Sequence, residues 1–376
     1  MLMSFGGKLV EKIIAVLLAF GVAWAVTPLV EKLAFAWGAV DLPGPRKVHQ
    51  KVMPRLGGLA IYLAFLAGAP LAFYPAQLGQ PGFGLLAGAT LIVLAGVIDD
   101  IWGLTPWLKL LGQMLAAVSI LPFGIAIHFV TNPLNGELIS LGWLGIPLTV
   151  FWIVAVTNAI NLIDGLDGLA GGVSCIAALT VAAVGWTQWK VFGAAGQQEI
   201  IWLALLLAAA LMAFLRYNFH PARVFLGDSG AMLLGFLLAA ISVLGLTKSV
   251  TAVSVFVPLV ILGIPLTDTA FAILRRYHRR RPIFQPDRGH LHHLLLIMGL
   301  SHRQAVLAVY GISMLLGLSA IAINLISPDY AMVLLLFIAT ATIVGLNRIE
   351  AFGRAYQARQ PYQARRSYDS KSTGSR

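Results

Sequence analysis

Charge is scarce in this 376-residue chain: Asp, Glu, Lys and Arg make up 11% of it, where a soluble domain carries roughly 25%. Set against 59% hydrophobic residues, that shortage excludes an ordinary water-soluble enzyme. Cysteine is scarcer still. A lone Cys175 excludes an internal disulfide, and its setting in an apolar run suits a small buried side chain. Acidic residues number 15 against 26 Lys and Arg, a net charge of +11, so the position of the basic residues decides between nucleic acid and membrane lipid as their partner. No gap the size of a soluble domain separates the apolar runs, and no internal repeat is visible, which counts against transporters built on inverted repeats.

What is present is a series of long apolar runs. A hydrocarbon core about 30 Å thick takes roughly 20 apolar residues per helical crossing. The pattern predicts an all-α polytopic membrane protein with eleven spans, near 9–36, 56–74, 83–98, 107–127, 146–162, 170–188, 199–216, 230–247, 251–275, 304–325 and 331–346. The first run reads as a retained helix, because it is long and runs into Glu31 and Lys32 without a small-residue cleavage pattern. With the amino terminus outside, the inner segments are 38–55, 99–106, 163–169, 217–229, 276–303 and the tail from Asn347. Together with Lys109, Arg216, Arg275 and Arg276 they hold 21 of the 26 Lys and Arg. The positive-inside rule then puts the carboxy terminus in the cytoplasm and gives the charge to lipid headgroups, with no nucleic acid involved. Residues 1–346 form a single integral membrane domain in this reading, and 347–376 a basic, disordered cytoplasmic tail. On the outer side, the Asn-Pro and Asn-Gly pairs of 128–145 predict a small hairpin.

Five polar stretches fall on the inner side of that topology: DLPGPRKVHQKVMPRLGG (41–58), IDDIWG (98–103), NAINLIDGLDGLAGG (158–172), RYNFHPARVFLGDSG (216–230) and RRYHRRRPIFQPDRGHLHH (275–293). Asn158, Asn161, Asp164 and Asp167 recur every third residue, so on a straight helix the first and last end up on opposite faces. They converge only where the helix breaks, and Gly165 and Gly168 favour a break. The bland alternative is a polar helix cap at the interface. The adjacent carboxylates of Asp99 and Asp100 invite neutralisation by a cation or a proton, with a solvent-facing loop acid as the ordinary alternative. Asp228 sits in a Gly-Asp-Ser-Gly turn before a helix, suited either to an N-cap or to a site.

These Asp and Asn residues are hard oxygen ligands, favouring Mg²⁺ or Mn²⁺ over zinc. HLHH lacks zinc spacing and follows Arg279, Arg280, Arg281 and Arg288, a setting for phosphate. His128 and His302 read as structural or solvated, and Asp268 as an acid paired with a nearby Arg. Acids for a metal beside cations for phosphate is the equipment of phosphoryl transfer, here between a lipid phosphate and a soluble nucleotide.

The same five stretches together resemble the polyprenyl-phosphate N-acetylhexosamine-1-phosphate transferases, most nearly the bacterial undecaprenyl-phosphate N-acetylglucosaminyl-1-phosphate transferases that start teichoic acid and related surface polymers. The likeness covers about residues 41–293. It implies a bacterial plasma-membrane enzyme, active at the cytoplasmic face, that uses UDP-N-acetylglucosamine, undecaprenyl phosphate and Mg²⁺ or Mn²⁺. By resemblance Asp228 and Asn161 are metal ligands, and Asp99, with Asp100 beside it, deprotonates the lipid phosphate. Asp164 supports the metal or diphosphate, and Asp167, Phe225 and Asn158 belong to the nucleotide site. Lys51, Arg288, His290, His292 and His293 meet the diphosphate and sugar. Whether the protein is a monomer or a homodimer stays open.

The related transferase of peptidoglycan synthesis, which takes the muramoyl-pentapeptide, carries consecutive histidines in the last loop and a Lys soon after its acidic pair. Here the loop reads HLHH, and Ile101, Trp102 and Gly103 follow the pair, which favours the monosaccharide substrate. A lipid-carrier transporter is the alternative from another class, and it predicts acids spread through the bilayer depth.

Overall fold

The computed structural model describes residues 2–43, 51–72, 79–131, 137–247, 256–278, 280, 289–327, 329–349 and 351. They build a helical bundle of α1 (Leu2–Trp37), α2 (Gly57–Ala72), α3 (Gly79–Trp102), α4 (Pro106–Ser119), α5 (Gly145–Ile163), α6 (Leu169–Lys190), α7 (Gln197–Asn218) and α8 (Gly227–Thr247). After these come α9 (Phe256–Ile261), α10 (Gly263–His278), α11 (Leu291–Ile297), α12 (His302–Leu325) and α13 (Asp329–Ile349). Among the described residues, nine helices are long and apolar enough to cross a membrane: α1, α3 to α8, α12 and α13. α2 is apolar but shorter. The chain is a multi-pass membrane protein, as its composition requires.

The ninth predicted span does not form one helix. It divides at Leu262 into α9 and α10, with 251–255 outside the described residues. Pro265 is the cause: it has no N–H to give the carbonyl four residues back, at Ile261, and its ring crowds that oxygen. The segment 276–303, expected from the sequence to connect two spans, contains the short helix α11. Two small hairpins complete the fold. β1 (Val40–Asp41) pairs antiparallel with β2 (Met53–Pro54), and β3 (Phe129–Thr131) pairs with β4 (Leu138–Ser140) in the predicted hairpin, whose tip at 132–136 lies outside the described residues. So does the tail from residue 352 onward.

The bundle is built around α8, which is almost wholly buried, with α2, α3 and α5 packed against it. At the periphery α13 is mostly exposed, and large side chains such as Leu17, Phe151 and Phe337 face outward. An exterior this apolar is what lipid leaves uncovered, because burying Leu from hydrocarbon gains nothing. Helices then associate through small residues that let backbones approach. A Cβ on Gly58 of α2 would strike the backbone of Gly230, and one on Gly96 of α3 would strike Ser229. Both neighbours thus press on the first turn of α8. Short connections (103–105, 164–168 and 219–226) bring the ends of α3, α5 and α7 beside the starts of α4, α6 and α8, so polar residues far apart in sequence collect at one end of the bundle.

Candidate active site

Asp228 is the second residue of α8 and is fixed there by a neighbour. Asp100, fully buried at the end of α3, accepts the Asp228 N–H on Oδ1 at 2.9 Å and the Ser229 N–H on Oδ2 at 3.0 Å. A carboxylate from another helix therefore satisfies the orphan donors of α8, the task an N-cap usually performs from its own chain segment. Arg55 secures Asp100 in turn, donating to its carbonyl from Nε at 3.1 Å and Nη2 at 2.8 Å. Gly227, at φ +74°, makes the turn into α8 with Arg55 and Asp100 packed where a side chain would go.

The Asp228 carboxylate itself points away from the cap. Its Oδ1 accepts Asn161 Nδ2 at 2.8 Å and Lys109 Nζ at 3.0 Å. Lys109 also lies 2.5 Å from Asp99 Oδ2, and the other Asp99 oxygen accepts the Leu104 N–H at 2.6 Å. Asp99 and Asp228, on different helices, thus share one ammonium. Lys109→Met is expected to leave both carboxylates without their common counter-charge. The variant should melt below wild type and lose about 10²-fold in turnover, as read by thermal unfolding in detergent and by rate.

Asp228, Asn161 and Asp164 line one cavity of about 750 Å³, within the range of small-molecule sites. α5 ends at Ile163, and the break turns Asp164 and Asp167 into the same space. The structure therefore resolves the three-residue recurrence: Asn158, a turn earlier, faces the other way, its Nδ2 donating to Gln113 Oε1 of α4 at 2.6 Å. No hydrogen-bond donor or cation among the described residues meets the Asp164 carboxylate. Burial, with the carboxylates of Asp228, Asp100 and Asp167 nearby, pushes it up to about 8. Such a group wants a proton or a cation. Because Asn161 spends its N–H on Asp228, its Oδ1 remains as an acceptor. Two carboxylates and an amide oxygen suit a hard divalent ion.

In the same cavity lining, Asp167 Oδ2 lies 2.8 Å from His220 Nδ1 and accepts the Ala222 N–H at 3.1 Å. His220 stacks on His302 with ring centroids 4.1 Å apart, so His302 belongs to this wall. One ligand atom each from Asp167, His220 and His302 falls within 4.8 Å of the others, a nitrogen-rich group distinct from the oxygen cluster. Phe225 lines the same wall with its backbone clamped, N–H to the Pro54 carbonyl at 2.8 Å and carbonyl to the Gly57 N–H at 3.0 Å. Lys51 and His293 also line the cavity, whereas His290 and His292 are buried behind it and Arg288 is outside the described residues. Burial and the adjacent His293 hold His292 down to about 3, so it packs as a neutral ring.

A model of glycosyl transferase family 4 matches residues 82–246, the segment that carries Asp99 through Asp228. A probable undecaprenyl-phosphate N-acetylglucosaminyl 1-phosphate transferase of Bacillus subtilis is 40% identical over 318 residues, 84% of this chain and 86% of the relative. The chain belongs to glycosyl transferase family 4. Other relatives of this family 4 protein include a decaprenyl-phosphate N-acetylglucosaminephosphotransferase of Mycobacterium leprae, 35% identical over 82% of each chain. An undecaprenyl-phosphate alpha-N-acetylglucosaminyl 1-phosphate transferase of Escherichia coli K12 is 31% identical over 82% of this chain and 83% of its own. The resemblance drawn from the motifs is borne out. In the family 4 fold described here, the acids singled out from the sequence, Asp268 apart, sit at one end of the bundle, unlike the spread a transporter would need. Lys109 and His220 escaped the sequence reading: each is a lone basic residue, and only the fold sets it against an acid.

Proposed function

We propose that this chain transfers N-acetylglucosamine 1-phosphate from UDP-N-acetylglucosamine to undecaprenyl phosphate, releasing UMP, at the cytoplasmic face of a bacterial plasma membrane. The observation that carries the reading is the convergence of Asp228, Asn161 and Asp164 on a cavity that also holds Phe225 and His293. The relatives' names support the sugar and the lipid carrier, and the basic bias of the inner segments supports the orientation.

An oxygen of the lipid phosphate attacks the β-phosphorus of the UDP-sugar in line. The bond from that phosphorus to the bridging oxygen breaks, and UMP leaves with the electron pair. Mg²⁺ or Mn²⁺, held by Asp228, Asp164 and the Asn161 amide oxygen, would neutralise the charge that gathers on the diphosphate. Lys109 adds a fixed positive charge beside Asp228 and holds that side chain in place. Asp99 lies outside the cavity lining, and its geometry favours action through Lys109. Asp100 sets the α8 terminus that carries Asp228. Asn158 braces α5 on α4. Lys51 and His293 stand where they can meet the diphosphate and sugar.

Purified protein incubated with UDP-N-acetylglucosamine, undecaprenyl phosphate and Mg²⁺ should release UMP, and a chelator should stop it. Release only with the muramoyl-pentapeptide donor would overturn the choice of sugar. The Phe225 backbone is clamped by β2 and α2 and the residue lines the cavity, which suits its ring to stack on the uracil. Phe225→Ala should raise KM for the UDP-sugar about tenfold, with kcat within about threefold of wild type, because stacking binds ground and transition state alike.

A further inference from the structure

Asp268 lies on α10, outside the cavity lining, and is nonetheless almost wholly buried. Its Oδ2 is 2.9 Å from His290 Nδ1, and its Oδ1 accepts the Leu291 N–H at 2.9 Å. The two side chains are only 5% and 7% exposed. A carboxylate can only accept, so the pair requires the His290 proton on Nδ1. Both oxygens are spent on a single place, the entry to α11. That turn leads straight to the site. His292 packs on Gly165, where a Cβ would strike its Nε2, and Gly165 adjoins Asp164. The next residue, His293, lines the cavity.

We propose that Asp268 is a positioning residue of the transferase: by clamping His290 and the Leu291 N–H it sets the α11 turn that seats His292 on the Asp164–Gly165 loop and presents His293 to the cavity. The inference rests on the reading that this cavity takes the UDP-sugar. Asp268 acts through α11 and touches no reacting atom. The contact differs from the Asp–Arg pairing that composition suggests, because the partners are a histidine ring and a backbone amide.

A double-mutant cycle tests it. We would measure kcat and KM for UDP-N-acetylglucosamine in Asp268→Ala, His293→Ala and their combination, and check each variant for a single peak after detergent extraction. Asp268→Ala should lower kcat/KM about 30-fold, and the double variant should fall no more than about threefold below the worse single one, because both changes remove the same contact. Combined with Phe225→Ala, whose backbone is held by β2 and α2 rather than by α11, the loss should instead multiply. Should Asp268→Ala fail to fold, two milder comparisons carry the test. Asp268→Asn keeps an acceptor for the Leu291 N–H and should lose about fivefold; His290→Asn, which returns an N–H near the position of Nδ1, should lose less than His290→Leu. Multiplicative losses in the first cycle, wild-type activity in Asp268→Asn, or equal losses in the two His290 variants would overturn the clamp. Wild-type protein that releases no UMP would overturn the functional reading instead.

Discussion

Asp228→Asn is expected to release UMP at least about 10³-fold more slowly than wild type while remaining folded, a loss of about 4 kcal/mol in transition-state stabilisation. The site explains why both halves of that result should hold. Asp228 Oδ1 accepts from Lys109 and Asn161, so an amide of the same shape removes the charge that faces the cavity and sets an N–H against donors or leaves them weaker partners. Folding should survive because Asp228 does not cap its own helix. The α8 N–H groups of Asp228 and Ser229 are answered by Asp100, which the substitution leaves alone. Rate with saturating UDP-N-acetylglucosamine and undecaprenyl phosphate, together with melting in detergent, gives both readouts. Turnover within tenfold of wild type would remove Asp228 from the centre of the chemistry.

Much of this site could be read from the chain before its fold was known, and the reasons differ residue by residue. The Asn and Asp residues from 158 to 167 announced a broken helix because a period of three does not stay on one face of a helix with 3.6 residues per turn, and two glycines offered the break. The structure puts the end of α5 at Ile163 and gives Gly168 φ +81°. What the pattern could not assign was which member faces away, since that depends on Gln113 of α4 standing opposite Asn158. Lys109 was visible only as one more inner-side charge. Its meaning comes from Asp228, 119 residues later in the chain. Asp100 and Asp268 could be named from the chain but not given their roles, because Asp100 answers two backbone amides and Asp268 answers one beside the His290 ring, and backbone amides are what every sequence has and none displays. β1 and β2 are two residues each, too short to show the alternation by which strands are recognised. The division at Leu262 is the opposite case: Pro265 was in plain view, inside a run whose hydrophobicity alone suggested continuity.

Asp164→Asn should separate stability from turnover. In chelated protein the wild-type carboxylate is carried at about 8 instead of 3.8, chiefly by burial and secondarily by Asp228, Asp100 and Asp167. Between those values the folded protein keeps a proton that the denatured chain has released. Folding is therefore linked to proton uptake, and stability falls as pH rises from about 4 towards about 8. Asparagine has no proton to lose. Chelated Asp164→Asn should accordingly melt above chelated wild type at pH 8, with the gap closing as the pH is lowered, while turnover with Mg²⁺ falls about 10²- to 10³-fold. Mg²⁺ should raise the wild-type melting temperature at pH 8 and raise that of the variant much less, because a cation replaces the proton on Asp164 only where a carboxylate is there to receive it. A melting curve for chelated wild type that is flat in pH, or an equal Mg²⁺ shift in both proteins, would show that the Asp164 carboxylate is satisfied by something other than a cation, and the oxygen cluster would lose its claim to hold one.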